Sequence, residues 1–143
     1  MGKRKRIAAE ARKEVLKSTA VSKLNNCPTS PRKMRLMADM IRGKKVEFAL
    51  NALKFSTKEA AGRMRKVLLS ALSNWQAKNE GMRMEDESLY VKEVFVDSAR
   101  QLKRLRTAPQ GRGHRVRKRS NHITLILDTK AGMTQPVQTE ETK

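Results

Sequence analysis

Apolar residues recur every three or four positions along the first part of this chain and every second position near its end. In residues 29–43, TSPRKMRLMADMIRG, Met34, Met37 and Ile41 make one helical stripe, flanked by Ala38 and Met40. Ser30 can cap such a helix, Pro31 suits its first position, and Gly43 suits a left-handed residue after its end. A shorter helix follows, with Val46, Ala49, Leu50 and Leu53 spaced i, i+3, i+4, i+7. Ser56 and Glu59 form a capping-box pattern ahead of a third helix, and Gly81 marks its end. Ala60, Ala61, Met64, Val67, Leu68, Ala71, Leu72 and Trp75 run as a continuous stripe along it, while Lys58, Arg63, Arg65, Lys66 and Lys78 stay off the stripe. Residues 82–87 read as a loop that holds an acidic cluster.

Strand patterns flank these helices. Residues 20–25 are a short strand candidate before Pro28. LYVKEVFVD, residues 89–97, is rich in β-branched and aromatic residues, and NHITLILD, residues 121–128, puts Ile123, Leu125 and Leu127 on one face. Between the last two strands, residues 98–120 show no helical period and contain Pro109, Gly111 and Gly113, which are turn residues. The pattern predicts a β-hairpin with long arms. Ten residues per arm at about 3.3 Å each reach roughly 30 Å beyond the body. Residues 1–19 are polar and charged, with a short helical pattern around Ile7, Ala11 and Val15, and read as an extension ordered on a partner; residues 129–143 read as a tail.

Charge changes this picture. The 143 residues carry 33 Lys and Arg against 14 Asp and Glu, a formal net charge of +19, which favours a polyanionic partner. An anionic membrane surface is the second candidate after nucleic acid. Nine of the cations, Arg100, Lys103, Arg104, Arg106, Arg112, Arg115, Arg117, Lys118 and Arg119, lie in the predicted arm with no carboxylate among them. An isolated hairpin with so small an apolar face is unstable in water, and its cations repel one another. Both problems disappear against phosphates. The alternative is a flexible, solvated basic loop, the usual fate of a charge run at a chain end, but this run is bracketed by two core strands. Aromatic residues are too few for a row of base-stacking platforms, so contacts through phosphate, groove and shape are expected. Folded RNA suits a slender arm; a DNA-bending protein that grips the minor groove and wedges Pro109 between bases is the competing reading.

No cofactor or metal is expected. Cys27 is the single cysteine, so neither an internal disulfide nor a cysteine zinc cluster can form. Cys27 reads as a small packed residue. His114 and His122 have no Cys, Asp or Glu at ligand spacing; His122 reads as a packed or hydrogen-bonding residue and His114 as a candidate RNA contact. No motif sets a nucleophile beside a base, so an RNA-processing enzyme has nothing to support it. Methionines on the helix stripes read as core filling rather than a promiscuous groove. No apolar run approaches the roughly 20 residues of a membrane span, and the N-terminus lacks an apolar signal core. Arg32, Lys33 and Arg35 crowd the first turns of the first core helix, where the helix dipole disfavours cations unless an RNA phosphate binds there. Arg42 and Lys44, at the far end of that helix, complete the expected RNA-binding set.

The segments SPRKMRLMADMIRGKKVEFALNAL, KVLLSALSNW, VKEVFVD and NHITLIL, with the KR and GR pairs between them, together resemble one family: the large-subunit ribosomal protein L twenty-two family in its bacterial form, over about residues 20–128. The resemblance implies an α+β fold, three helices packed on a small three-stranded antiparallel sheet with one long protruding β-hairpin. It implies a core domain at 20–128; the basic extension at 1–19 and the flexible tail at 129–143, both read from composition, lie outside the family's usual core. It implies a structural constituent of the large ribosomal subunit, cytoplasmic, monomeric, and bound to several ribosomal RNA domains and to neighbouring ribosomal proteins without membrane contact. In the family the body sits near the outlet of the peptide exit tunnel, and the hairpin tip lines the tunnel wall, where the nascent peptide passes. Carried over, Leu102-Lys103-Arg104 stands at the family's apolar-Lys-Arg triplet and Gly111-Arg112 at its Gly-Arg, with Arg115, Lys118 and Arg119 on the returning arm. The tip here is Thr107, Ala108, Pro109, Gln110, Gly111, Arg112 and Gly113, which departs from the family's usual Pro-Arg-Ala run: an Arg is missing and the Pro is shifted.

Overall fold

The computed structural model describes residues 3–79 and 89–129. In chain order the elements are α1 (Lys3–Ser18), β1 (Ala20–Cys27), α2 (Pro31–Ile41), α3 (Val46–Phe55), α4 (Glu59–Lys78), β2 (Leu89–Thr107), a single 3-10 turn (Pro109–Gly111) and β3 (Gly113–Thr129). The strands form one antiparallel sheet of order β1-β3-β2. The fold is α+β, with α2, α3 and α4 on one face of the sheet, as expected.

The core follows the helical and strand periods closely. All eight residues of the α4 stripe are buried, and they meet Met34, Met37, Ala38 and Ile41 of α2 and Val46, Ala49 and Leu53 of α3. Every second residue of β3, Ile123, Leu125 and Leu127, closes the core from the sheet side. α4 lies against β1 and α2 against β2, so each helix covers a different part of one small sheet.

Two helix starts differ from the sequence reading. Ser56 and Glu59 do not close a capping box: Ser56 ends α3 and its hydroxyl meets the Met37 sulfur at 3.6 Å, while α4 begins only at Glu59. Glu59 instead pairs with Arg63 one turn on, at 2.7 Å. Ser30 makes no side-chain cap; its backbone carbonyl takes the Lys33 and Met34 amides, and the buried Pro31 opens the helix. Gly43 does adopt the left-handed conformation expected of it, with φ of 72°.

The fourth helix is also a correction. Residues 3–18 form α1 where a largely irregular extension is expected from the sequence. Ala8, Ala9, Ala11 and the straight-chain Lys, Arg and Glu residues are good helix formers, and Arg6 and Glu10 pair at 3.6 Å one turn apart. Residues 3–14 of α1 are all exposed, so local propensity rather than packing accounts for it. β3 continues to Thr129, opposite Leu89. The expected acidic loop at 82–87, Gly81 and the tail at 130–143 lie outside the described residues.

Candidate nucleic-acid interface

β2 and β3 remain paired far beyond the body. Their ladder runs from Leu89 opposite Thr129 to Thr107 opposite Gly113. The body and the arm are therefore one pair of continuous strands, and the change between them is chemical. On β3 the core-facing series reads Leu127, Leu125, Ile123, Asn121, then Arg119, Arg117, Arg115. The first four are buried and the last three exposed. One period of two thus carries the chain from apolar anchor to cationic arm, and Asn121 is the step between them.

The junction has its own geometry. The register shifts between Ser98 and Gln101, so that Ala99 and Arg100 stand opposite Ser120 alone. Such a bulge bends the strand and re-aims the side chains beyond it. Buried Asn121 holds the same place: its Nδ2 donates to the Thr29 carbonyl oxygen at 2.6 Å and to Thr29 Oγ1 at 3.0 Å. Cys27 lies opposite Asn121 on β1, and its Sγ sits 3.2 Å from Thr29 Oγ1, so Cys27 is the packed residue the sequence suggests. His122 accepts a hydrogen bond at Nδ1 from the Asn26 amide, at 3.1 Å, which fits its expected structural role.

Residues opposite each other in an antiparallel pair share a face. One face of the arm carries Gln101 opposite Arg119, Lys103 opposite Arg117 and Leu105 opposite Arg115. The other carries Leu102 opposite Lys118, Arg104 opposite Val116 and Arg106 opposite His114. Both faces are basic, and most cations stand across from an apolar or neutral residue. The exception is Lys103 opposite Arg117, a like-charge pair that costs stability without an anion nearby. Among the described residues no carboxylate pairs with any cation of the arm. Leu102, Leu105 and Val116 remain exposed.

The tip is a tight reversal. Gln110 and Gly111 both have positive φ, 63° and 69°, the pattern of a type I′ turn between Pro109 and Arg112. The Ala108 amide closes it by donating to the Arg112 carbonyl oxygen at 2.8 Å. Thr107, Ala108, Pro109, Gln110, Gly111, Arg112 and Gly113 therefore stand together at the far end of the arm, with the expected tip residues at the apex.

The α2 cations divide. Arg32 and Lys33 are exposed on the first turn, which has no acidic residue. Arg35 and Arg42 are occupied within the fold. Arg35 donates through Nε and Nη2 to the Val96 carbonyl oxygen at 3.3 and 3.1 Å. Arg42 donates through Nη2 to the Val94 carbonyl at 3.0 Å and through Nη1 to Asp39 at 2.7 Å. Gly43 donates to the Val91 carbonyl and Lys44 accepts from the Val91 amide, each at 2.9 Å. Together these groups cover the outer edge of β2 along the body. Helical spacing in the sequence places Arg35 and Arg42 off the apolar stripe but carries no sign of which strand edge lies beside them.

Among the described residues no group of three His, Cys, Asp or Glu could hold a metal, and no helix is long and apolar enough to cross a membrane. The profile of the family described as ribosomal protein L22p/L17e matches residues 22–128. Curated relatives agree with it. The large ribosomal subunit protein uL22 of Christiangramia forsetii is 65% identical over 127 residues, 89% of this chain and 94% of the relative. That of Flavobacterium johnsoniae is 62% identical over 127 residues, 89% and 93% of the two chains. That of Bacteroides fragilis strain YCH46 is 60% identical over 131 residues, 92% and 96%.

Proposed function

Because the chain belongs to the ribosomal protein L22p/L17e family, whose curated relatives are large-subunit proteins, we propose that it is a structural constituent of the large ribosomal subunit that uses its β2–β3 arm to bind ribosomal RNA. The observation that carries this reading is the β3 series that turns from Leu127, Leu125 and Ile123 to Arg119, Arg117 and Arg115 on one face. The apolar end anchors the arm in the body. The cationic end, with Lys103 facing Arg117, needs phosphate on both sides to be a stable arrangement. Arg100, Arg104, Arg106, Arg112 and Lys118 extend the same surface around both faces and the tip. Arg32, Lys33 and Lys44 add phosphate contacts from the body, while Arg35 and Arg42 have guanidinium donors left over from their strand-edge bonds.

The body sits near the outlet of the peptide exit tunnel, and the arm reaches inward between RNA domains. Residues 107–113 then form part of the tunnel wall, where a nascent peptide passes the Gln110–Gly111 turn. The protein is monomeric, works in the cytoplasm within the ribosome, contacts neighbouring large-subunit proteins and supports subunit assembly. No catalytic step is required of it.

The test is co-sedimentation of the tagged chain with the large subunit, joined to binding of large-subunit RNA over a salt series. The logarithm of the affinity should fall linearly with the logarithm of salt, by roughly 0.7–0.9 for each phosphate neutralised. A nearly flat salt dependence, or equal binding to duplex DNA with strong bending, contradicts the proposal.

A further inference from the structure

We propose that the groove between β1 and α4 receives an extended acidic segment of a neighbouring protein, which pairs as a fourth strand with the edge of β1 at Lys23. The two edges of the sheet are treated differently. Along the body the β2 edge is covered by Gly43, Lys44, Arg42 and Arg35. On β1, Val21 and Lys23 turn their backbone groups away from β3: the Val21 carbonyl oxygen accepts from Asn74 Nδ2 of α4 at 3.0 Å. Lys23 has the same orientation two residues on by the alternation of an antiparallel pair, and none of the hydrogen bonds outside the sheet ladder reaches its backbone among the described residues. The Thr19 carbonyl oxygen, just before β1, is likewise taken by Lys78 Nζ at 2.7 Å, so the edge is open at Lys23, and an open stretch of strand edge is a template for another strand.

Beside that edge lies an open groove of about 650 Å³, with Leu24 and Val67 on its floor and Lys23, Arg63 and Lys66 around it. Gly62 of α4 opens onto it. A Cβ there would meet nothing within 4 Å. Glycine inside a helix costs about 1 kcal/mol relative to alanine, yet it leaves the helix surface bare at this spot. A second hollow lined by Ser70, Asn74 and Lys78 continues the groove along the same strand.

The chemistry selects the occupant. Lys23 presents one amide donor and one carbonyl acceptor side by side. A peptide backbone answers both with the spacing of a strand, whereas a phosphate group offers acceptors alone. The apolar floor takes an aliphatic side chain from every second residue of an added strand. Lys23 and Lys66 are exposed and have no carboxylate partner among the described residues, so the strand's other side chains should be Asp or Glu. Glu59 also lines the groove, where Arg63 pairs with it at 2.7 Å and offsets its charge towards an acidic strand. This site is separate from the RNA-binding arm but rests on the chain's place in the large subunit.

The experiment uses purified large subunits treated with a carbodiimide, which joins lysine amines to carboxylates at contact distance, followed by peptide mass spectrometry. Lys23 and Lys66 should both cross-link to Asp or Glu of one segment of one neighbouring protein. A Gly62→Leu variant fills the groove at a helix-favouring position, and should lose both cross-links at least tenfold while still co-sedimenting with the subunit. Co-sedimentation separates failure of this site from failure of the ribosomal assignment. Ultraviolet-induced nucleotide adducts on Lys23 or Lys66 peptides, absence of carboxylate cross-links in intact subunits, or cross-links that persist in Gly62→Leu would each overturn the proposal.

Discussion

Arg35 clasps Val96: two guanidinium nitrogens of α2 donate to one carbonyl oxygen on the outer edge of β2, at 3.3 and 3.1 Å. An arginine on a basic helix face thus satisfies a strand edge. Arg35→Ala should lower the unfolding free energy by about 1–2 kcal/mol, the worth of a hydrogen bond from a charged donor. Arg32→Ala, with no such bond, should leave the melt nearly unchanged while weakening RNA binding. Parallel thermal melts and RNA titrations of the two variants check this; equal melting of both would show that the clasp contributes nothing.

Asn121 joins the base of the arm to Thr29 by bonds of 2.6 and 3.0 Å, in a fully buried site. Asn121→Ala removes both donations and leaves the buried Thr29 carbonyl without that partner. The expected cost is about 1–3 kcal/mol. Denaturant midpoints should fall accordingly, and Asn121→Leu should not recover the loss. Wild-type stability in either variant would contradict the role given to this residue.

Lys103 faces Arg117 across the arm, so one substitution should move two measurements in opposite directions. Lys103→Gln relieves a like-charge pair and should stabilise the free arm by roughly 0.2–1 kcal/mol. The same change should weaken binding to large-subunit RNA and reduce the salt slope by about 1. Amide exchange along the arm reports the first effect and a salt titration the second. Weaker arm protection together with unchanged RNA binding would run against both.

Gln110 occupies a left-handed conformation at φ 63° without being glycine. That conformation costs a side-chain-bearing residue about 1–2 kcal/mol, part of which glycine returns as unfolded-state entropy. Gln110→Gly should tighten the tip slightly and Gln110→Val should loosen it, since β-branched residues tolerate this region least. The Ala108 amide, bonded to the Arg112 carbonyl, is the probe: its exchange should slow in the first variant and accelerate several-fold in the second. The reverse order would mean that the turn has a different geometry in solution.

Lys92 is held above the ordinary lysine range, first by its hydrogen bond to Asp128 at 2.6 Å and then by the charge of that carboxylate. A raised folded-state value means that the stabilisation is complete below the unfolded lysine value and lost as pH rises through the folded one. Lys92→Gln should therefore cost a constant amount, under about 1 kcal/mol for so exposed a pair, from neutral pH upward until the lysine range. Above neutrality the gap should close only in strongly alkaline solution. A gap that closes near neutrality would point to another group.

Much of this protein is legible in its amino-acid order. The α4 stripe from Ala60 to Trp75, the anchor series at Ile123, Leu125 and Leu127, the turn residues near Gly111 and the carboxylate-free arm are all local patterns with fixed periods. Local patterns suffice because burial and charge repeat with the element that carries them. The capping box at Ser56 is a local pattern that failed, because Ser56 ends α3 and meets Met37 instead. At residues 3–18 helix-forming composition prevails over the irregular extension read there.

The tertiary structure alone decides what lies beside each edge. Arg35 and Arg42 look like Arg32 and Lys33 in sequence, yet they reach Val96 and Val94, more than fifty residues away. Asn121 finds Thr29 across 92 positions. The groove at Lys23 and Gly62 exists because β1 takes the outer place in the sheet and α4 packs beside it. Strand order and helix placement depend on contacts distant in sequence, and these have no period along the chain. The order of residues therefore determines the elements, the anchor and the cationic arm. Packing determines which arginines hold the fold together, which stay exposed, and where an edge is left open.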